Sequence, residues 1–99
     1  MEVANELESI LSEVLSNPKL ITEELIQKAI ADAEEIVGAK ELEIPFFLDI
    51  ALYRFFVRVR AKAPQSVKDA YEKAIARLQK APIKKSALAK VAQRQSIWI

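Results

Sequence analysis

Apolar residues recur at helical spacing along most of the chain, in stretches separated by proline, glycine or short charged connectors. From Glu6 to Leu15 they fall at Leu7, Ile10, Leu11, Val14 and Leu15, one stripe of an amphipathic helix. Asn5 is a candidate cap for it. Asn17-Pro18 ends it, because the residue before proline is pushed out of the helical region. Thr22 then predicts a helix N-cap, with Glu23 and Glu24 in the first turn, where the helix dipole favours acids. Leu25, Ile26, Ala29, Ile30, Ala33, Ile36 and Val37 form the second stripe, and Gly38, the only glycine, stands where a left-handed C-terminal residue is expected. Lys40 to Glu43 reads as a short charged connector.

The third stretch, Ile44 to Lys62, is the densest in apolar residues and holds five of the seven aromatics. Pro45 suits the first position of a helix, where its missing N–H costs nothing. At roughly 100° per residue, Phe46, Ile50, Tyr53 and Val57 point one way and Leu48, Leu52, Phe55 and Val59 nearly opposite. Arg54 and Arg58 separate the two sets on one side, Asp49 and Arg60 on the other. A helix with two apolar faces touches two layers, so residues 45–61 are the expected centre of the fold. The arginines are expected to lay their stems on the core and keep their heads in water; a phosphate contact is the functional alternative.

Ala63-Pro64 breaks this helix, and Ser66-Val67-Lys68-Asp69 resembles a capping box for a fourth. Val67, Ala70, Tyr71, Ala74, Ile75 and Leu78 give its stripe, and Ala81-Pro82 stops it. The fold class is therefore all-α: a small bundle of about four helices over residues 1–82, with Leu48, Leu52, Phe55, Tyr71 and Ile75 as core candidates. Residues 83–99 read as a basic tail carrying Lys84, Lys85, Lys90 and Arg94, with Ser86 as a possible cap for a short helix over residues 87–93. It ends in the apolar Ile97-Trp98-Ile99. Two readings of that end stand: it folds back on its own core, or it docks on a neighbouring subunit by strand addition or with Trp98 filling a pocket.

Composition agrees with the helical pattern. One glycine and four prolines in 99 residues are too few for the turns of an all-β fold, and 52 % apolar residues suffice for one modest core. No segment approaches the length of about 18 uninterrupted apolar residues that a membrane span needs, and the acidic MEVANELES start is unlike a signal peptide. The expectation is a protein of the cytoplasm without membrane contact.

Charge changes the picture more. The net charge of +1 hides eleven acids and three bases in residues 1–43, against three acids and twelve bases in residues 44–99. Such a chain either neutralises itself within one monomer or presents complementary halves to copies of itself placed head to tail, or to an acidic partner. Asp32, Glu34 and Glu35 form the candidate acidic partner face. Arg58, Lys84, Lys85, Lys90, Arg94 and Trp98 are the candidate contacts to another subunit or, non-specifically, to DNA.

Catalytic chemistry is scarce. Without cysteine or histidine there is no thiolate metal site, no Ser-His or Cys-His pair and no ordinary neutral-pH proton shuttle. No glycine-rich phosphate loop occurs. Asp32 and Glu35, three apart on one helix, could share a hard cation, but a solvated acidic face explains them more simply. The expectation is a non-enzyme with no catalytic, metal or cofactor site. The basic half lacks a helix-turn-helix signature and has Trp98 as its only aromatic beyond the fourth helix, so single-strand stacking has no platform.

Ile44-Pro45, Leu48-Asp49-Ile50-Ala51-Leu52-Tyr53-Arg54-Phe55 and Val67-Lys68-Asp69-Ala70-Tyr71-Glu72-Lys73-Ala74-Ile75-Ala76-Arg77-Leu78 together resemble the Mu-like prophage family of head–tail connector proteins, small tailed-phage adaptors related to those that attach to the portal ring. The family pattern is a proline-led helix with an Asp-Ile-Ala-x-Tyr-Arg core, a short polar break, and a helix with Tyr-Glu-x-Ala-Ile-x-x-Leu. Leu25 to Val37 also resembles the family's preceding helix, so the likeness spans residues 22–88. The chain lacks the family's N-terminal Arg-Phe-Gly element and has Ala81-Pro82-Ile83-Lys84-Lys85 where a glycine is usual. The resemblance implies a structural, virion-assembly protein that forms an oligomeric ring between portal and tail around the DNA channel. Its partners would be the portal and tail proteins of the same phage. Its location would be the host cytoplasm during assembly and then the virion, or the cytoplasm for a prophage remnant. A small DNA-binding or regulatory helical protein using the basic C-terminal half is the alternative.

Overall fold

The structure, a computed structural model, describes residues 3–15 and 17–83. Four α-helices follow one another: α1 (Val3–Val14), α2 (Glu23–Val37), α3 (Ile44–Val59) and α4 (Gln65–Lys80). A single 3₁₀ turn, Pro18–Leu20, lies between α1 and α2. Among the described residues there is no β-strand, only an isolated antiparallel bridge between Lys40 and Ile83. The all-α bundle expected from the pattern is the observed architecture. No helix among the described residues is long and apolar enough to cross a membrane.

Each helix starts and stops for a local reason. Asn17 caps the 3₁₀ turn by accepting the Lys19 N–H on its side chain. Thr22 caps α2, its hydroxyl accepting the Leu25 N–H at 3.2 Å, and Glu23 and Glu24 follow in the first turn. Gly38 closes α2 with its N–H on the Glu34 carbonyl. Its φ of 61° is positive as expected, but its ψ of −130° is not left-handed helical. That combination belongs to glycine alone, so the chain leaves α2 by a turn no other residue makes without strain.

Several boundaries differ from the sequence expectations. α1 is already helical at Asn5, so Asn5 is not its cap. Pro45 is the second residue of α3, after Ile44. α3 ends at Val59, two residues early, because Arg60 adopts a left-handed conformation (φ 57°, ψ 31°). The Arg60 N–H then reaches the Val57 carbonyl and the Ala61 N–H the Phe56 carbonyl, a Schellman ending with arginine in the place usually held by glycine. The capping box at Ser66 does not form. Pro64 directs the chain into α4 two residues earlier, and Val67 and Lys68 donate their N–H groups to its carbonyl. Asp69 instead accepts from the Gln65 side chain at 2.9 Å.

α3 is the centre. It packs against α1, α2 and α4, and α4 packs chiefly on it. Leu48, Ile50, Ala51, Leu52, Phe55 and Phe56 are buried, with Phe55 and Ile50 fully enclosed. The buried arc is broader than two narrow stripes, for Phe56 and Ala51 belong to it, while Val57 opens to solvent. Leu7 and Leu11 from α1 and Ile26, Ala29, Ala33 and Val37 from α2 cover one side. Val67, Ala74 and Leu78 from α4 cover the other. Tyr71 and Ile75 flank this core half-buried. Tyr71 stacks on Tyr53 with ring centroids 4.2 Å apart and planes 21° off parallel, which fixes α4 on α3.

Candidate interaction surface

Two ion-pair groups tie the helices together at their surfaces. On α2, Asp32 accepts from Arg58 Nε at 2.6 Å and Arg58 Nη2 at 2.7 Å, the two-pronged geometry that strengthens an arginine–carboxylate pair. Arg54, one turn before Arg58 on α3, brings its Nε to 3.5 Å from the same carboxylate. That Nε is buried and has no hydrogen bond, so Asp32 is its only charge partner among the described residues. The Asp32 side chain is 15 % exposed, and the Arg58 hydrogen bonds hold its carboxyl below the usual range. The same contact raises the Arg58 guanidinium. An acid set between two arginines at i and i+4 relieves a repulsion that would otherwise weaken α3.

At the opposite end of α3, Glu43 takes Arg77 of α4, with Nη2 to Oε1 at 2.5 Å and Nε to Oε2 at 3.3 Å. That contact lowers the Glu43 carboxyl and raises the Arg77 guanidinium, in full view of solvent. Beside it Lys40 donates from Nζ to the Leu78 and Gln79 carbonyls at 3.1 and 3.2 Å, neutralising the exposed C-terminal end of α4. The Glu41 N–H donates to the Pro82 carbonyl at 2.7 Å, so the α2–α3 connector and the exit from α4 form one joint.

These contacts redistribute the predicted site residues. Arg58 and Asp32, assigned from sequence to opposite partner surfaces, meet each other within the chain. Arg58 is therefore paired with Asp32 within the chain. Both Asp32 oxygens accept from it, so the Asp32 charge is balanced within the chain. Among the described residues no group of three or more potential metal ligands converges. Glu34 and Glu35 are exposed on α2 and make no ion pair among the described residues. Lys84, Lys85, Lys90, Arg94 and Trp98, and with them Ser86 and the short helix expected over 87–93, lie outside the described residues. Lys40, Glu43 and Arg77 carry contacts that sequence reasoning did not assign. The only prior sign of the Asp32 contact was the stripe of two arginines one turn apart between the apolar faces of α3.

After this internal pairing the surface charge is still uneven, net acidic on α1 and α2 and net basic after α3 and on α4. Glu8 and Glu13 on α1 and Glu23, Glu34 and Glu35 on α2 are exposed and unpaired among the described residues. Arg60 and Lys62 after α3, and Lys73 and Lys80 on α4, are exposed and make no ion pair either, and the same holds for Asp69 and Glu72 on α4 and for Lys19 between α1 and α2. α3 lies between the two groups, since α1 and α2 pack on it and α4 packs chiefly on it.

One partly apolar groove of about 500 Å³ opens at the α2–α3 joint, lined by Val3, Glu34, Val37, Lys40, Leu42, Ile44 and Phe47. Ile44 there is half exposed. Compared with family models, with curated proteins and with solved structures, the chain matches none. The connector resemblance therefore rests on the quoted residues. In space they join the helices: Tyr53 meets Tyr71, and Arg54 meets Asp32.

Proposed function

We propose that this chain is a non-enzymatic assembly module, a head–tail connector-type adaptor that forms a ring between a portal and a tail. The observation that carries the reading is the division of charge that survives internal pairing. α1 and α2 keep a net acidic surface, and the α4 side keeps a net basic one in which Asp69 and Glu72 are interspersed, with α3 between them. A ring of identical copies needs a heterologous interface, in which one patch meets a different patch on the next copy, and surfaces of opposite sign on two sides of one subunit fit that need. Exposed charge pairs are individually weak and screened by salt, so the free chain stays monomeric or weakly associated and a template gathers it into a ring.

The test is to mix the purified chain with a portal protein from the same source and measure mass by light scattering at low salt. Formation of a discrete, larger complex is the expected result, and raising the salt dissolves it. Absence of any association with the portal at low salt would remove the reading. A steeply salt-dependent gel shift with DNA and no portal binding would instead favour nucleic-acid contact.

A further inference from the structure

The groove at the α2–α3 joint lies at the point where the chain leaves the described structure. Ile83 forms an antiparallel bridge with Lys40, and Lys40 lines the groove. Residues 84–99 follow Ile83 in the sequence. Their composition is complementary to the groove. The groove offers Val3, Val37, Leu42, Ile44 and Phe47 as apolar wall, with Glu34 in the lining and exposed Glu35 and Glu41 nearby in the chain. The Lys40 ammonium, the cation in that lining, is already held by the Leu78 and Gln79 carbonyls. Residues 84–99 bring four positive charges, no acid, and the apolar Ile97-Trp98-Ile99.

We infer that the groove binds the chain's own segment 84–99, with Trp98 and its isoleucine neighbours against Leu42, Ile44 and Phe47. Reach is no obstacle. Fourteen residues, the number from Lys84 to Ile97, can span at most about 50 Å. A tether of that length holds its end at a local concentration in the millimolar range, so modest apolar contact with a charge-matched rim is enough to close it. The volume of about 500 Å³ lies within the ordinary range of clefts that accept an aromatic group. The inference does not rest on the assembly reading, since a segment docked on its own subunit needs no second copy, although both draw on Glu34 and Glu35.

Trp98 is the only tryptophan, so its fluorescence reads the segment directly in the full chain. Docking predicts emission at shorter wavelength than in denaturant, slower acrylamide quenching, and no change on dilution. Ile44→Lys puts a charge of the wrong sign at a half-exposed position. It shifts the emission to the solvent-exposed value and raises quenching severalfold, with the helical circular dichroism unchanged. Val57→Lys, at an exposed site about 20 Å away along α3, leaves the emission as it is. Emission already at the solvent-exposed value in the unaltered chain would overturn the inference, as would an Ile44→Lys variant with unaltered emission. A blue shift that fades on dilution would overturn it too, by assigning the segment to a neighbouring copy, and would leave the assembly reading intact.

Discussion

Gly38 is the residue whose identity the backbone dictates most narrowly. An added Cβ would come no nearer than 4.0 Å to the Glu35 carbonyl, so space is available and conformation alone decides. With φ 61° and ψ −130°, Gly38→Ala is expected to destabilise the fold by about 1–3 kcal/mol, measured by denaturant unfolding. Arg60 presents the reverse case. It holds a left-handed position that glycine takes without strain, and Arg60→Gly is expected to stabilise by about 0.5–1 kcal/mol in the same assay. Asp49 on α3 is partly buried and makes no hydrogen bond or ion pair among the described residues, and burial raises its carboxyl. A carboxyl raised on folding opposes the folded state once ionised, so its penalty is present at neutral pH and relieved as pH falls through the folded value. Asp49→Asn is therefore expected to raise the melting temperature at pH 7 and to change it little in acid.

Between elements, the Asp32–Arg54–Arg58 cluster joins α2 to α3. Asp32→Asn removes the charge partner of the buried Arg54 Nε and is expected to cost about 1–2 kcal/mol. Because the Asp32 carboxyl is lowered on folding, its stabilisation is complete above the ordinary carboxylate range, near pH 4, and fades as pH drops through the folded value. Loss of stability between neutral and acid pH should therefore be smaller in Asp32→Asn than in the unaltered chain, as thermal melts at pH 7 and pH 3 would record. This is the scale at which sequence and structure can be compared. The stripes on α1, α2 and α4 and the stops at Gly38 and Ala81-Pro82 were legible because they are local rules of spacing and backbone sterics, whereas α1 ends at Val14, before Asn17-Pro18. The early end of α3 was not legible, since nothing about Arg60 announces a left-handed conformation. Ser66 misled because Pro64 began the helix before the serine could cap it. The Asp32 contact lies between residues 26 apart and depends on how α2 is laid on α3, which no local pattern encodes.

For the whole molecule, α3 makes three helices into one body. That explains why the aromatic residues crowd into it, and why the residues that carry the family resemblance are joints and not a site. The surfaces left to act are the acidic one on α1 and α2 and the basic one on the α4 side. The charge imbalance between the halves was plain in the sequence. Which of the charges are paired internally was not, and the structure pairs Asp32 with Arg54 and Arg58, and Glu43 with Arg77. Glu34, Glu35, Lys73 and Lys80 remain as the residues on which the proposed contact between copies depends. The most direct measurement is sedimentation of the chain at high protein concentration, at low and at high salt, alongside a Glu34→Lys, Glu35→Lys variant. Complementary faces predict weak association at low salt that disappears at high salt and in the variant. A sedimentation coefficient that stays that of a single copy at every concentration and salt, and is unmoved by the charge reversal, would contradict it.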